Sequence, residues 1–185
     1  MAELPTLRAD RLILREWRTD DRAAFAALNA DSRVMEFMPS TLDRDQSEAM
    51  ADRIATHFAE HGFGFWAVEI ARTATFIGFV GLAVPKFTAH FTPCVEVGWR
   101  LAYDYWGKGY AAEAARVAVA DGFDRLGMTE IVSFTVPHNR RSRAVMERIG
   151  MKHDPADDFD HPSLAEGNPL RRHVLYRLAR QRPAL

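Results

Sequence analysis

The run Trp106-Gly107-Lys108-Gly109-Tyr110-Ala111 sets two glycines in a short turn between a strand-like segment, Cys94 to Leu101, and an alanine-rich helical pattern. Such a turn suits an anion. Without Cβ atoms, successive N–H groups can approach a phosphate, and the positive end of the following helix faces the same charge. The turn therefore predicts a phosphate-bearing ligand held mainly by main chain. Two common phosphate signatures are excluded. Gly109 is followed by Tyr110 rather than by Lys and a hydroxyl residue, and Gly107-x-Gly109 leads to Ala112 where a third glycine would stand. Lys108 is either a solvated turn charge or a further phosphate contact, and the Tyr110 ring is expected to pack rather than react.

Other reactive side chains are more scattered. His138 beside Asn139 is a rival base or substrate contact, and Arg140, Arg141 and Arg143 make a basic cluster at a helix start, suited to solvent or to phosphates. His153, His161 and His173 lie near Asp154, Asp157, Asp158 and Asp160, but the spacings match no tight ligand pair, so no metal is expected.

Composition narrows the class. The 185 residues suit a single domain over the whole chain, and a net charge of −1 supplies no basic field for nucleic acid or a membrane surface. One cysteine, Cys94, excludes an internal disulfide framework and fits a reducing, cytoplasmic setting. Met1-Ala2-Glu3-Leu4-Pro5 lacks the charged and apolar regions of a leader, and no run of about 18 apolar residues could span a bilayer.

The elements follow from apolar spacing and punctuation. Leu12 to Trp17 reads as a first strand, and Thr19 and Asp20 offer cap oxygens to a helix carrying Phe25 and Leu28 and ending near Asp31. The apolar connector Val34 to Pro39 is either core filling or one wall of an acceptor pocket. Asp43 with Gln46 forms a capping box for a helix bearing Met50, Ile54 and Phe58, with Gly62 ending it. Phe63–Ile70 and Phe76–Val84 make a hairpin, and a proline-bounded loop, Pro85 to Pro93, precedes the fourth strand. Ala111, Ala115, Val119 and Phe123 are expected to form the buried stripe of the helix after the glycine turn. Glu130–Val136 is a fifth strand. Asn139 then caps a helix with Ser142, Val145, Met146 and Ile149 on one face; Phe159 to Pro162 reads as a loop and His173–Leu178 as a last strand. These elements make an α+β chain around one mainly antiparallel sheet.

Two motifs in this order resemble the GNAT superfamily of N-acetyltransferases. Trp106-x-x-Gly109-x-Ala111 is similar to its pyrophosphate loop, Q/R-x-x-G-x-G/A, in the W-G-x-G-Y-A form of the RimJ/RimL branch that acetylates ribosomal-protein N-termini. Asn139-x-x-Ser142 with Gly150-Met151 is similar to its N-x-x-S/A…G-F element. The likeness spans roughly residues 7 to 178. It implies the GNAT fold, a mixed sheet splayed between its fourth and fifth strands and flanked by helices. It implies acetyl-CoA as co-substrate and an amine acceptor: a protein or peptide N-terminus first, a small amine or aminoglycoside-type antibiotic second. It also implies that the pantetheine arm pairs with the fourth strand around Trp99 and Leu101. The pyrophosphate would lie on the N–H groups of Trp106, Gly107, Lys108, Gly109, Tyr110 and Ala111, with Asn139 near the arm or the helix start.

Acetyl transfer needs a neutral amine, a donor to the carbonyl oxygen and a partner for the leaving thiolate. Many members supply the last from a tyrosine seven residues after the asparagine. Here Met146 stands there and can donate nothing, so Ser142 is the expected substitute for the thiol and Glu96, in Glu96-Val97-Gly98-Trp99, the expected base. Glu96 could instead be a solvent-facing strand residue, and Ser142 a helix cap. A non-catalytic acyl-CoA sensor and a nucleotide-binding half-domain are the rival classes, and a homodimer through the C-terminal strands is a further expectation.

Overall fold

The computed structural model describes residues 4–180; residues 1–3, on which the leader expectation partly rests, and 181–185 lie outside. A short β1 (Leu7–Arg8) turns back into β2 (Leu12–Arg15), and α1 (Asp21–Ala30) and α2 (Arg44–His61) follow. Next come β3 (Phe65–Ile70), β4 (Thr75–Ala83) and β5 (Glu96–Leu101), then α3 (Tyr110–Asp124), β6 (Glu130–Thr135) and α4 (Arg140–Arg148). The chain closes with β7 (Lys152–His153), β8 (Phe159–Asp160) and β9 (Arg172–Ala179). The strands lie in the order β1-β2-β3-β4-β5-β6-β9-β7, with β8 beside β9. Every pairing is antiparallel except β5 with β6. This is the expected α+β sheet. Its splayed pair, fourth and fifth by the sequence reading, is β5 and β6 because β1 was not foreseen.

Local chemistry accounts for the boundaries, with three corrections. The Asp43–Gln46 capping box forms in both directions, and Gly62 ends α2 at φ 72°, where a side chain would be strained. Asp20, in contrast, makes no cap bond to α1. Asp21 takes over instead: its carboxylate accepts from the Arg18 N–H at 2.7 Å and from both terminal nitrogens of Arg15. The buried stripe of α3 is also rotated. Ala112, Ala114, Ala115, Ala118, Val119 and Gly122 are buried, while Ala111 and Phe123 lie at its borders. Small size sets that face, because a Cβ on Gly122 would stand 2.9 Å from both the Ile131 and Leu82 Cδ1 atoms. Finally, Phe159 and Asp160 are not a loop but pair with His173 and Arg172.

The two faces of the sheet have different cover. Val97 and Leu82 pair across β5 and β4 on the side where α3 seats. On the other side Phe25 of α1 meets Phe79 of β4 edge-on, with centroids 6.0 Å apart. A buried charge network fixes α1 there. Arg15 bridges Asp21 at 2.7 Å and Glu69 at 2.5 Å, with all three side chains less than 8% exposed. Removing one member leaves an uncompensated buried charge, which costs about 3–5 kcal/mol. Arg15→Ala is therefore expected to lower the unfolding free energy by about that amount. Denaturant unfolding checks this, and a loss below about 1 kcal/mol would show the network to be dispensable.

Candidate active site

The site begins where two strands part. β5 and β6 share one register pair, Glu96 with Val132, held by the Val132 N–H on the Val95 carbonyl at 2.9 Å. Beyond it no further pair forms. Backbone groups of successive strand residues point to opposite edges. Ala102 N–H bonds the Ile77 carbonyl of β4, so the even-numbered residues of β5 face β4. The backbones of Val97, Trp99 and Leu101 consequently face the gap. The Leu101 carbonyl is taken by the Trp106 indole N–H at 2.8 Å, leaving the Leu101 N–H and the Trp99 amide as open edge. Of the strand residues expected to meet a pantetheine arm, Trp99 offers both groups and Leu101 one.

The gap widens into a cleft of about 440 Å³ between β5, the start of α3 and α4. At one end stands the glycine turn. Gly107 and Gly109 adopt φ of 71° and 80°, and among the described residues nothing beyond its own chain neighbours lies within 4 Å of where a Gly107 Cβ would be. Gly109 is the N-cap of α3 and supplies no side-chain cap, so the first N–H groups of the helix remain free for a ligand. Glu113, in that first turn, would repel an anion, but Arg11 neutralises it. The Arg11 backbone N–H and Nε each donate to its carboxylate at 2.7 Å. The guanidinium lies 4.6 Å over the Tyr110 ring, and its Nη2 would be 3.6 Å from a Gly109 Cβ. These features fit a pyrophosphate held by main chain.

The opposite wall is α4. Asn139 is buried, and its Oδ1 accepts from the Ser142 N–H at 3.2 Å while its Nδ2 donates to Thr135 Oγ1 at 3.0 Å. Asn139 thus starts the helix and lines the cleft. Ser142 lines it too; its backbone, not its hydroxyl, takes part in the cap, and its Oγ has no partner among the described residues. Arg140 and Arg141 line the cleft, whereas Arg143 turns away to the Tyr176 hydroxyl and the Pro137 carbonyl. Val34, Phe37 and Met38 supply a third wall, while Met35 is buried in the core, so the connector both fills core and borders the pocket. Arg141 ties it to α4, pairing with Glu36 and lying 4.6 Å from the Trp106 ring.

Trp99, Leu101, Trp106, Gly107, Gly109, Tyr110, Ala111, Asn139 and Ser142 thus converge on one cleft. Lys108 does not: its Nζ lies over Tyr105, 5.3 Å from the ring centre. Glu96 is not among the residues that line the cleft; it sits at the single paired position of the splay. It is half-buried, and burial pushes its carboxyl up to about 7. His138 is exposed, edge-on to Phe37 at 5.4 Å. The other histidines are engaged separately. His153 bonds Asp158 at 2.7 Å, and His161 and His173 belong to a cluster of rings with Phe134 and Phe159. Arg11 and Arg100 are site residues that no motif indicated. No described helix is long and apolar enough to cross a membrane.

The acetyltransferase (GNAT) domain model matches residues 11–152. A curated relative from Aspergillus fumigatus, FsC-acetyl coenzyme A-N(2)-transacetylase, is 33% identical over 158 residues, covering 80% of this chain and 66% of its own length. A solved acetyltransferase from Agrobacterium tumefaciens is 28% identical with a TM-score of 0.77, covering 97% of both chains. The fold is also that of Mycobacterium smegmatis RimJ, whose structure is described as a complex with CoA-disulfide. There the TM-score is 0.71 at 19% identity, with 95% of this chain and 86% of that one covered.

The glycine turn yields a direct test. Gly109→Trp sets a bulky side chain where the backbone must approach a phosphate, and coenzyme A binding is expected to be lost in calorimetry. The φ of 80° strains any substitution there, so folding is checked by thermal melting; a folded variant with unchanged affinity would refute the loop assignment.

Proposed function

The chain belongs to the GNAT acetyltransferase family, and on that premise we propose that it carries an acetyl group from acetyl-CoA directly to a primary amine, both substrates being bound together by one domain. The observation that carries this reading is the open edge at Trp99, running onto the free N-terminus of α3 behind two glycines of positive φ. Acetyl-CoA would supply an activated acetyl thioester. The Trp99 and Leu101 backbones would align the pantetheine arm as an added strand, and Gly107 to Ala111 would hold the pyrophosphate. Arg11 keeps Glu113 from opposing that charge.

The chain's own groups then handle protons. A carboxyl pushed up to about 7 is poised near neutral pH, and Glu96 would take a proton from the incoming ammonium or amine, directly or through water. The Trp99 N–H, facing the gap, would donate to the carbonyl oxygen. Ser142 Oγ, free of internal partners, would donate to the departing sulfur. A covalent route through Cys94 is disfavoured, because burial and then the nearby Glu96 charge push its thiol up to about 11, away from the nucleophilic thiolate.

The acceptor follows the RimJ/RimL-like likeness first, a protein or peptide N-terminus, with small amines second. A homodimer through the C-terminal strands would have to use their faces or the short β7, because β6 and β7 already pair both edges of β9.

Thiol release from acetyl-CoA against a panel of peptides, polyamines and aminoglycosides tests the reading. Release with one acceptor class establishes the enzyme; coenzyme A binding without release from any amine would favour the sensor. For the base, wild-type turnover is expected to fall as pH drops through about 7, where Glu96 protonates and can no longer accept a proton. Glu96→Gln should lower kcat by about 10²-fold or more and remove that acidic limb, leaving coenzyme A affinity nearly unchanged. An unaltered pH profile in the variant would exclude Glu96 as the base.

A further inference from the structure

Arg100 has no counterpart in the transfer chemistry above, yet it lines the same cleft. Its side chain lies on the α1/α2 face of β5, the face of Glu96 and Gly98 and the opposite of Val97, whose side chain lies toward α3. Nη1 donates to Asn29 Oδ1 at 2.7 Å. Its remaining recorded partners are thioethers, Met50 Sδ at 3.7 Å and Met38 Sδ at 3.4 Å, with the Phe79 ring 5.4 Å away. A guanidinium has five N–H donors, and thioether sulfur is a weak acceptor. No Asp or Glu among the described residues forms an ion pair with Arg100. The two acids between α1 and Met38 are held by other arginines: Asp31 pairs with Arg33, and Glu36 with Arg141.

The surroundings fix this cation rather than satisfy it. Asn29 is fully buried, and its Nδ2 donates to Ser47 Oγ at 3.2 Å, which orients Oδ1 toward Arg100. Burial pushes the guanidinium down to about 10, so it stays charged at neutral pH in a place where charge is disfavoured. A half-buried, pre-oriented cation that lines a ligand cleft with no carboxylate partner among the described residues is a half-formed ion pair.

We propose that Arg100 binds an anionic group of the acceptor, and that the acceptor is therefore an amine carrying a carboxylate, as an amino acid or an acidic N-terminal peptide does. The planar fork matches a carboxylate edge-on, with Asn29 holding one arm of it. Glu96, on the same strand face, would receive the ammonium end, so β5 presents opposite charges to the two ends of one substrate. The phosphates of the co-substrate belong to the other end of the cleft, at α3.

This inference rests on the acetyl-transfer reading for its chemistry but not for its binding test. Matched probes are Ala-Asp-NH2 against Ala-Asn-NH2 and Ala-Gly against Ala-Gly-NH2. Each is titrated by calorimetry into the coenzyme A-loaded protein and assayed for thiol release with acetyl-CoA. The acid of each pair is expected to bind about ten- to a hundredfold more tightly than its amide. Arg100→Gln should abolish the difference, Arg100→Lys should restore part of it, and the affinity for coenzyme A should stay constant in both. Equal or undetectable binding of acid and amide, or a preference that survives Arg100→Gln, would overturn the proposal. Acid preference without thiol release from any amine would defeat the transfer reading and leave the anion site standing. Transfer without acid preference would do the reverse.

Discussion

The site depends on a parallel strand pair that is allowed to fail. Glu96 and Val132 pair, and β5 and β6 then diverge while each stays anchored by an antiparallel neighbour on its outer edge. A fully zipped sheet would leave no free backbone at Trp99 and no space between α3 and α4. The antiparallel partners, β4 and β9, supply the rigidity, so the gap is a property of a stable sheet and not of a frayed one. Long unpaired edges are otherwise a liability in proteins. Here the edge lies inside the molecule, flanked by helices, where only a narrow extended ligand can reach it.

Much of this was legible in the chain. A glycine turn between a strand and a helix has one steric meaning, and Gly107 and Gly109 adopt it. The Asp43–Gln46 box and the Asn139 cap follow from local hydrogen-bonding rules that need no tertiary information. What local pattern could not reveal were contacts across sequence. Arg11 meets Glu113, 102 residues away, and Arg100 meets Asn29, 71 residues away; in the sequence neither arginine belongs to a motif. The two-residue strands β1, β7 and β8 are too short to carry a period. The face of α3 was misjudged because alanine occupies so much of the helix that apolar spacing does not choose a side; the tight seat of Gly122 chooses it.

Charge is arranged in two ways across the fold. Where structure is at stake, as at Arg15, each buried cation has its carboxylates in place and the network joins α1 to the sheet. Around the cleft the arrangement differs. Arg11 has its partner, Arg141 holds an exposed one, and Arg100 has none among the described residues. The gradient runs from fully compensated scaffold to incompletely compensated site, as expected where binding energy is kept for a ligand rather than consumed in folding.

The bridge from Glu36 through Arg141 to Trp106 has a consequence for how the two substrates sense one another. Arg141 at once braces the connector that walls the acceptor side and covers the indole beside the glycine turn. A phosphate that drew Arg141 away from Glu36 would loosen the connector against α4, and occupancy of one half of the cleft would then change the free energy of filling the other. Linkage makes that effect mutual and equal in both directions. An obligatory order of substrate addition would then reflect one movable arginine rather than two separately shaped pockets.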